Sequence, residues 1–379
     1  MPSKHLSRET VSVVFAANDY YVPYLAALFA SVVDHCDPKR TYELIVLCED
    51  FGERHIQQLR ELVEKPNVSL RILDVAEPMR PYESKLRVWG HFKRETYFRL
   101  LLPQLLPDHH KVLYLDADMI CLSDLAPLFD TNVDGYLVAA CKDPDTTGIY
   151  NGVDIDVGQP NKRDYMDNVL KIQNPYEYFQ AGTILFNLDA WRESISVEDV
   201  FEFAQSNEWQ LLDQDVLNYF CQGRTLHVDM AWNVMFDNGG FRIRDIISRT
   251  TPELRADYMA ARENPRIVHY AGPIKPWDDA ECDFAEHFWR YAKQTPFYEV
   301  VICRMSSQGV QRVSAQLEET RAWIQSIDDE LKRYENRSLG LMFKELVYQK
   351  ILTPLANRIA GEDGQRREQI HELYRKVHR

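Results

Sequence analysis

The sequence predicts an α/β protein with a mainly parallel sheet covered by helices on both faces, and three features predict it. Apolar strand-like runs recur at residues 11–17, 42–48, 68–73 and 111–115. Amphipathic stretches of helical period separate them, which is the βα alternation that builds parallel sheets. The run at 111–115 leads directly into Asp116 and Asp118, two carboxylates at a strand end, where open α/β sheets bind their ligands.

Each element follows in order. Residues 11–17 form the first strand, and Pro23 opens a helix over 24–33, since a first-turn residue loses nothing by lacking an N–H. After the strand at 42–48, residues 53–64 form a helix with Ile56, Leu59, Leu62 and Val63 on its apolar face. Residues 95–106 read as a helix leading into the strand at 111–115. Short strands are expected at 137–141 and 183–186. The intervening 142–178, rich in Asp, Asn, Gly, Pro and Tyr, reads as an extended loop of the kind that binds or covers ligands. Residues 213–221 form a helix whose first turn carries two acids, favoured by the helix dipole. A strand at 266–270 ends in a turn at Gly272 and Pro273. Helices are expected at 283–292, 308–334 and 339–352.

A chain of 379 residues suffices for one large α/β domain, expected over 1–300, and a helical C-terminal extension over 301–379. Hydrophobic content of 45% with 27% charge is that of a soluble globular protein, and no segment reads as a signal peptide or membrane span. Seven dispersed cysteines without a Cys-x-x-Cys suit buried thiols in a reducing compartment, so a cytoplasmic location is expected. The net charge of −14 argues against nucleic acid as a main partner, since that binding needs a basic face to displace counterions. The charge is uneven: residues 331–379 hold eleven Lys/Arg against six Asp/Glu, leaving 33 against 52 for the rest.

Two acids one residue apart repel each other unless a cation lies between them, and hard oxygen ligands in that arrangement suit Mg²⁺ or Mn²⁺ holding a diphosphate. A nucleotide-sugar enzyme is the first functional reading. The plain alternative is a strand-to-turn Asp bonding its own backbone.

Four segments together resemble glycosyltransferase family 8, the retaining GT-A enzymes. They are Phe15-Ala16-Ala17-Asn18-Asp19-Tyr20-Tyr21, Tyr97-Phe98-Arg99-Leu100, Tyr114-Leu115-Asp116-Ala117-Asp118 and Asp213-Gln214-Asp215-Val216-Leu217-Asn218. A fifth, His269-Tyr270-Ala271-Gly272-Pro273-Ile274-Lys275-Pro276-Trp277, completes the likeness, which runs over residues 11–300. The resemblance implies a GT-A fold, a UDP-hexose donor (glucose or galactose), Mn²⁺ (or Mg²⁺) and a glycan or glycolipid acceptor, as in lipopolysaccharide assembly.

The same resemblance assigns residues. Asp116, Asp118 and His269 match the metal ligands, and neutral imidazole with carboxylates suits Mn²⁺ better than Mg²⁺. Ala16, Asn18 and Tyr21 match the uracil site, with Asn18 where many relatives carry Asp. Gly272 and Lys275 match the diphosphate site, where a cation offsets charge building on the leaving group. Arg99 matches a residue that bonds both the donor sugar and Asp116. Asp213 and Gln214 match residues lining the donor hexose, Gln214 facing the anomeric carbon, and Asp215 offers a competing covalent route. Gln180 and Ala181 lie where relatives show Asn-Ala; the extra methylene of Gln180 shifts its amide by about 1.5 Å at a site expected to touch the sugar. Asp143 matches an acceptor contact. Without the family, Tyr21 and His269 read as core residues, Lys275 as a solvated lysine and Asp213 as a helix cap.

Residues 301–379 lie outside the resemblance. Leu339, Met342, Phe343, Leu346, Val347 and Leu355 recur at helical spacing among Lys344, Lys350 and Arg358, which fits either a basic amphipathic helix on an anionic membrane surface or packing on protein. The first places the protein peripherally at the inner face of the cell membrane. Two other functions fit an acid pair on an α/β sheet. A sugar-nucleotide pyrophosphorylase would show a Gly-rich basic loop near the amino terminus, which residues 15–21 lack. A non-catalytic glycan-binding protein would lose metal ligands, all three of which are present.

Overall fold

The computed structural model describes residues 10–88, 93–152, 162–334 and 346–354. Ten strands occur in it: β1 Val11–Ala16, β2 Tyr42–Cys48, β3 Val68–Asp74, β4 Lys111–Leu115, β5 Met119–Cys121, β6 Val138–Lys142, β7 Phe179–Asn187, β8 Thr225–His227, β9 Val234–Met235 and β10 Ile267–His269. Seven form the main sheet in the order β3-β2-β1-β4-β7-β6-β8. Pairing is parallel at β1/β2, β2/β3, β1/β4 and β6/β8, while β7 runs antiparallel to both β4 and β6. The expected mainly parallel sheet is therefore present, with one reversed strand at its centre.

Every residue of β1 is buried, because Val14 and Ala16 enter the core on one face while Val11, Val13 and Phe15 enter the core on the other. That two-sided burial is why the strand reads as an unbroken apolar run. The second face is covered by the helix Val22–His35, which carries Pro in its first turn.

A smaller sheet, β5-β10-β9, stands beside the main one. Its β10 runs antiparallel to β5 with His269 opposite Met119, and the Tyr270 N–H donates to the Asp118 carbonyl at 3.0 Å. This register carries His269 to the acid pair.

Two elements differ from expectation. Residues 94–101 wind as a 3-10 helix, Arg94–Leu101, before a single α-turn, Leu102–Leu105. Pro103 has no N–H for the α-type bond to the Arg99 carbonyl, and the Leu102 N–H takes that carbonyl instead. The stretch expected to be an extended loop contains the helix Pro144–Tyr150, capped by Asp143, whose Oδ1 accepts from the backbone N–H groups of Asp145 and Thr146. An Asp before a Pro at the first helical position is a helix start, and the low propensity of the Thr146-Thr147-Gly148 run hides it.

The chain divides into two compact units, Met1–Met305 and Ser306–Arg379. The long helix begins earlier than expected, spanning Tyr298–Tyr334. Of the helix expected at 339–352, residues 339–345 lie outside the described residues, as does Leu355, and the part described winds as a π-helix over Val347–Leu352. All seven cysteines are free thiols. Among the described residues no helix is long and apolar enough to cross a membrane.

Candidate functional site

At the end of β4 the Asp116 N–H donates to the Gly182 carbonyl at 2.8 Å, which turns the chain so that Asp116 and Asp118 face β10. His269 Nε2 lies 3.3 Å from Asp118 Oδ1 and 3.8 Å from Asp116 Oδ2. One ligand atom from each of the three residues falls within 4.8 Å of the other two. The expected metal ligands, far apart in sequence, are thus brought together.

The other ring nitrogen of His269 is engaged: Nδ1 lies 2.9 Å from Asn233 Oδ1. An amide oxygen only accepts, so Nδ1 carries the proton and Nε2 offers its lone pair toward the acids. Two carboxylates and one imidazole lone pair on a common point are a donor set that fits a divalent cation such as Mn²⁺. A second cation adjoins them, because Lys275 Nζ donates to Asp118 Oδ2 at 2.5 Å and to the Tyr270 carbonyl at 2.7 Å. Burial works to raise the Asp118 carboxyl, but the Lys275 ammonium holds the group well below the usual carboxylate range. Gly272 adopts φ +130°, a left-handed conformation that suits glycine; a side chain there would meet open space, so the backbone and not packing requires the residue.

Arg99 organises the opposite wall. Only 4% exposed, it donates from Nη2 to Asp116 Oδ1 at 2.7 Å and from Nη1 to the Ala181 carbonyl, and its guanidinium lies 4.1 Å from the centre of the Tyr114 ring. Burial opposes its charge, yet Asp116 and Asp213 hold its pKa above the ordinary arginine value. Arg99 Nε stands 3.0 Å from Asp213 Oδ2, but its hydrogen points to the Thr96 carbonyl at 3.1 Å. Asp213 Oδ1 accepts from the Thr96 hydroxyl, while the buried Oδ2 is paired by charge and accepts no hydrogen bond. Burial pushes the Asp213 carboxyl up to about 6, against the pull of Arg99.

The neighbours of Asp213 have different surroundings. Gln214 Oε1 accepts from the Ala181 N–H at 2.8 Å and its Nε2 donates to Asp143 Oδ2 at 2.8 Å, so both ends of the amide are held. Asp215 is fully buried and accepts from the hydroxyls of Tyr165 and Tyr178, each at 2.6 Å, and from the Leu211 N–H at 2.8 Å. Asp143, expected at the acceptor, is instead buried between its helix and Gln214.

At the residues expected around uracil, Ala16 closes β1, and Asn18 Oδ1 accepts from the Tyr21 N–H while Nδ2 donates to Glu95 Oε1 at 2.8 Å. Tyr21 is half-buried, edge-on to Tyr24 and Trp277 at 5.2 and 5.7 Å between ring centres. Gln180 lies beside the metal ligands: its Oε1 accepts from the Gly182 N–H at 2.5 Å and from Asn233 Nδ2 at 2.6 Å. Sequence reasoning missed Asn233 and Thr96. Asn233 lies in another element 36 residues before His269, and only the pairing of β9 with β10 joins them. Thr96 had a weak signal, three residues before Arg99 in a segment already singled out.

Residues 12–281 match the protein-family model described as glycosyl transferase family 8. Among curated relatives, the lipopolysaccharide 1,2-glucosyltransferase of Escherichia coli strain K12 is 21% identical over 298 residues, covering 78% of each chain. Among solved structures, the galactosyltransferase LgtC in complex with donor and acceptor sugar analogs aligns with TM-score 0.59 and 26% identity, over 76% of this chain and 96% of that one. The WbbM bifunctional glycosyltransferase aligns with TM-score 0.71 and 30% identity; the match covers 79% of this chain but 52% of that longer one.

Proposed function

The chain belongs to glycosyltransferase family 8, and from that premise we propose that it moves a hexose, glucose or galactose, from a UDP-sugar to a hydroxyl of a glycan or glycolipid acceptor with retention at the anomeric carbon. The observation that carries this is the convergence of Asp116, Asp118 and the His269 lone pair beside Asp213 Oδ2, a buried acceptor without a donor. A sugar hydroxyl is the donor that such an oxygen lacks. Neither a pyrophosphorylase nor a binding-only protein explains both features together with the family match.

Bound Mn²⁺ (or Mg²⁺) at Asp116, Asp118 and His269 would supply Lewis acidity toward the leaving UDP. Lys275 adds a cation next to that site and Gly272 a backbone able to approach the same phosphates. Ala16, Asn18 and Tyr21 line the place for uracil. Arg99 pairs with Asp116 and Asp213 and holds them in place, and Ala181 is held between Arg99 and Gln214. Gln214 cannot swing away from its two partners, and its Oε1 keeps a second lone pair for positive charge developing at the sugar. Asp215, with three donors and no exposure, is poorly suited to covalent attack. A front-face displacement needs no enzyme nucleophile: the acceptor hydroxyl attacks on the side from which UDP departs, and a phosphate oxygen takes its proton. We also propose that the enzyme works at the inner face of the cell membrane, with its basic tail on anionic lipid; the charge contrast between the tail and the rest of the chain supports this.

Hydrolysis of a panel of UDP-sugars, with Mn²⁺ and with chelator, tests the reading. A UDP-hexose is expected to be cleaved only with metal, and His269→Ala to lower the rate by about 100-fold or more. Cleavage that ignores metal contradicts it.

A further inference from the structure

We infer that Gln180 and Asn233 are positioning residues that lock His269 in the one tautomer able to bind a cation, an inference that rests on the function proposed above. The argument starts from a group whose polarity is fixed. The Gly182 backbone N–H can only donate, and at 2.5 Å it donates to the side-chain oxygen of Gln180. The second group facing that oxygen, 2.6 Å away, belongs to Asn233 and must also donate, so it is the Asn233 NH₂. The Asn233 oxygen then faces His269 Nδ1 at 2.9 Å, which must carry the proton. Nε2 is left bare toward Asp116 and Asp118. One peptide N–H thereby fixes the direction of three successive hydrogen bonds.

This direction opposes what the acids would impose. Two carboxylates at 3.3 and 3.8 Å favour a hydrogen on Nε2, and that hydrogen would occupy the position a cation needs. In the neutral ring, which carries one proton, the bond from Nδ1 to Asn233 opposes it. Asn233 is 3% exposed, so no water competes freely for its amide, and leaving either end unpaired is costly. Gly182 supports the arrangement from below: a Cβ there would lie 2.5 Å from His269 Cε1 and 2.8 Å from Gln180 Oε1. A side-chain carbonyl one methylene shorter would fall about 1.5 Å from the position that Gln180 Oε1 takes between Gly182 N and Asn233. The Gln180 Nε2 has no partner among the described residues and stays available to the donor.

The test uses the full chain with ¹⁵N-labelled histidine. In metal-free protein at a pH where imidazole is neutral, NMR is expected to find wild-type His269 protonated on Nδ1 alone. Asn233→Ala is expected to move the proton to Nε2, wholly or in part. Electron paramagnetic resonance titration of Mn²⁺ in the presence of UDP is expected to show 10–100-fold weaker binding in that variant. Gln180→Ala, on a partly exposed side chain less prone to disrupt folding, is expected to weaken binding several-fold, and Gln180→Glu, which only accepts hydrogen bonds, to keep the wild-type tautomer. A wild-type proton on Nε2, or an unchanged tautomer and Mn²⁺ affinity in both alanine variants, overturns the inference. An Nδ1 proton in a wild-type chain that binds no Mn²⁺ would support the lock and overturn the function instead.

Discussion

Asp143 illustrates how one buried carboxylate can serve structure and site at once. Its Oδ1 caps the helix Pro144–Tyr150, and its Oδ2 holds the Gln214 amide. Burial, reinforced by Asp145, pushes its carboxyl up to about 6. A folded-state value above the ordinary one means that the folded chain takes up this proton before the unfolded chain does. The folded state therefore gains stability as pH falls from about 6 toward about 4 and loses it as pH rises back through 6. Asp213, also near 6, contributes with the same sign. Asp143→Asn removes the buried charge and can keep the cap through its one amide oxygen, but it turns an NH₂ toward the Gln214 NH₂. Denaturant unfolding is expected to show wild type losing up to ~3 kcal/mol more than the variant between pH 4 and pH 7. An equal pH dependence in both would contradict a raised Asp143 carboxyl.

At the scale of elements, the site depends on strand register. The pairing of β10 with β5 is what brings His269 to the acid pair, and that of β9 with β10 brings Asn233 to His269. Apolar patterning located β1, β2 and β4 because nearly all their residues are buried, and β3 because half-buried Val68, Leu70 and Ile72 alternate with exposed Ser69 and Arg71. It did not register β5 and β9, which are two or three residues long, nor the helix behind Asp143, whose start signal is a single Asp-Pro step. The grouping of Asp116, Asp118 and His269 was readable from family resemblance alone, since no local pattern links His269 to Asp116. The C-terminal tail yields a separate test. Full-length protein is expected to sediment with anionic vesicles at low salt, to be released by high salt, and to ignore zwitterionic vesicles. Equal binding to both vesicle types would remove the electrostatic basis for the membrane tail.

For the whole molecule, the sheet supplies the rigid side of the site and the loops and short strands supply its chemistry. β1 ends at Ala16 and β4 leads into the acid pair, while β7, paired with β4 on the side away from β1, carries Gln180, Ala181 and Gly182. A mainly parallel sheet was read from βα alternation and is present; its one reversed strand, β7, pairs with β4 from the opposite direction. Fold class was legible because the strands buried on both faces, β1, β2 and β4, leave largely apolar runs in the sequence. The hydrogen-bond network was not, because partners such as Thr96, Asn233 and Tyr165 are ordinary polar residues until the chain closes. The central claim is that Asp116, Asp118 and His269 hold one divalent cation against the diphosphate of a sugar nucleotide. Anomalous diffraction at the manganese edge from crystals containing Mn²⁺ and UDP tests it most directly. The account predicts a single peak within bonding distance of all three side chains and of the diphosphate; a peak elsewhere, or UDP bound with no metal beside those residues, would contradict it.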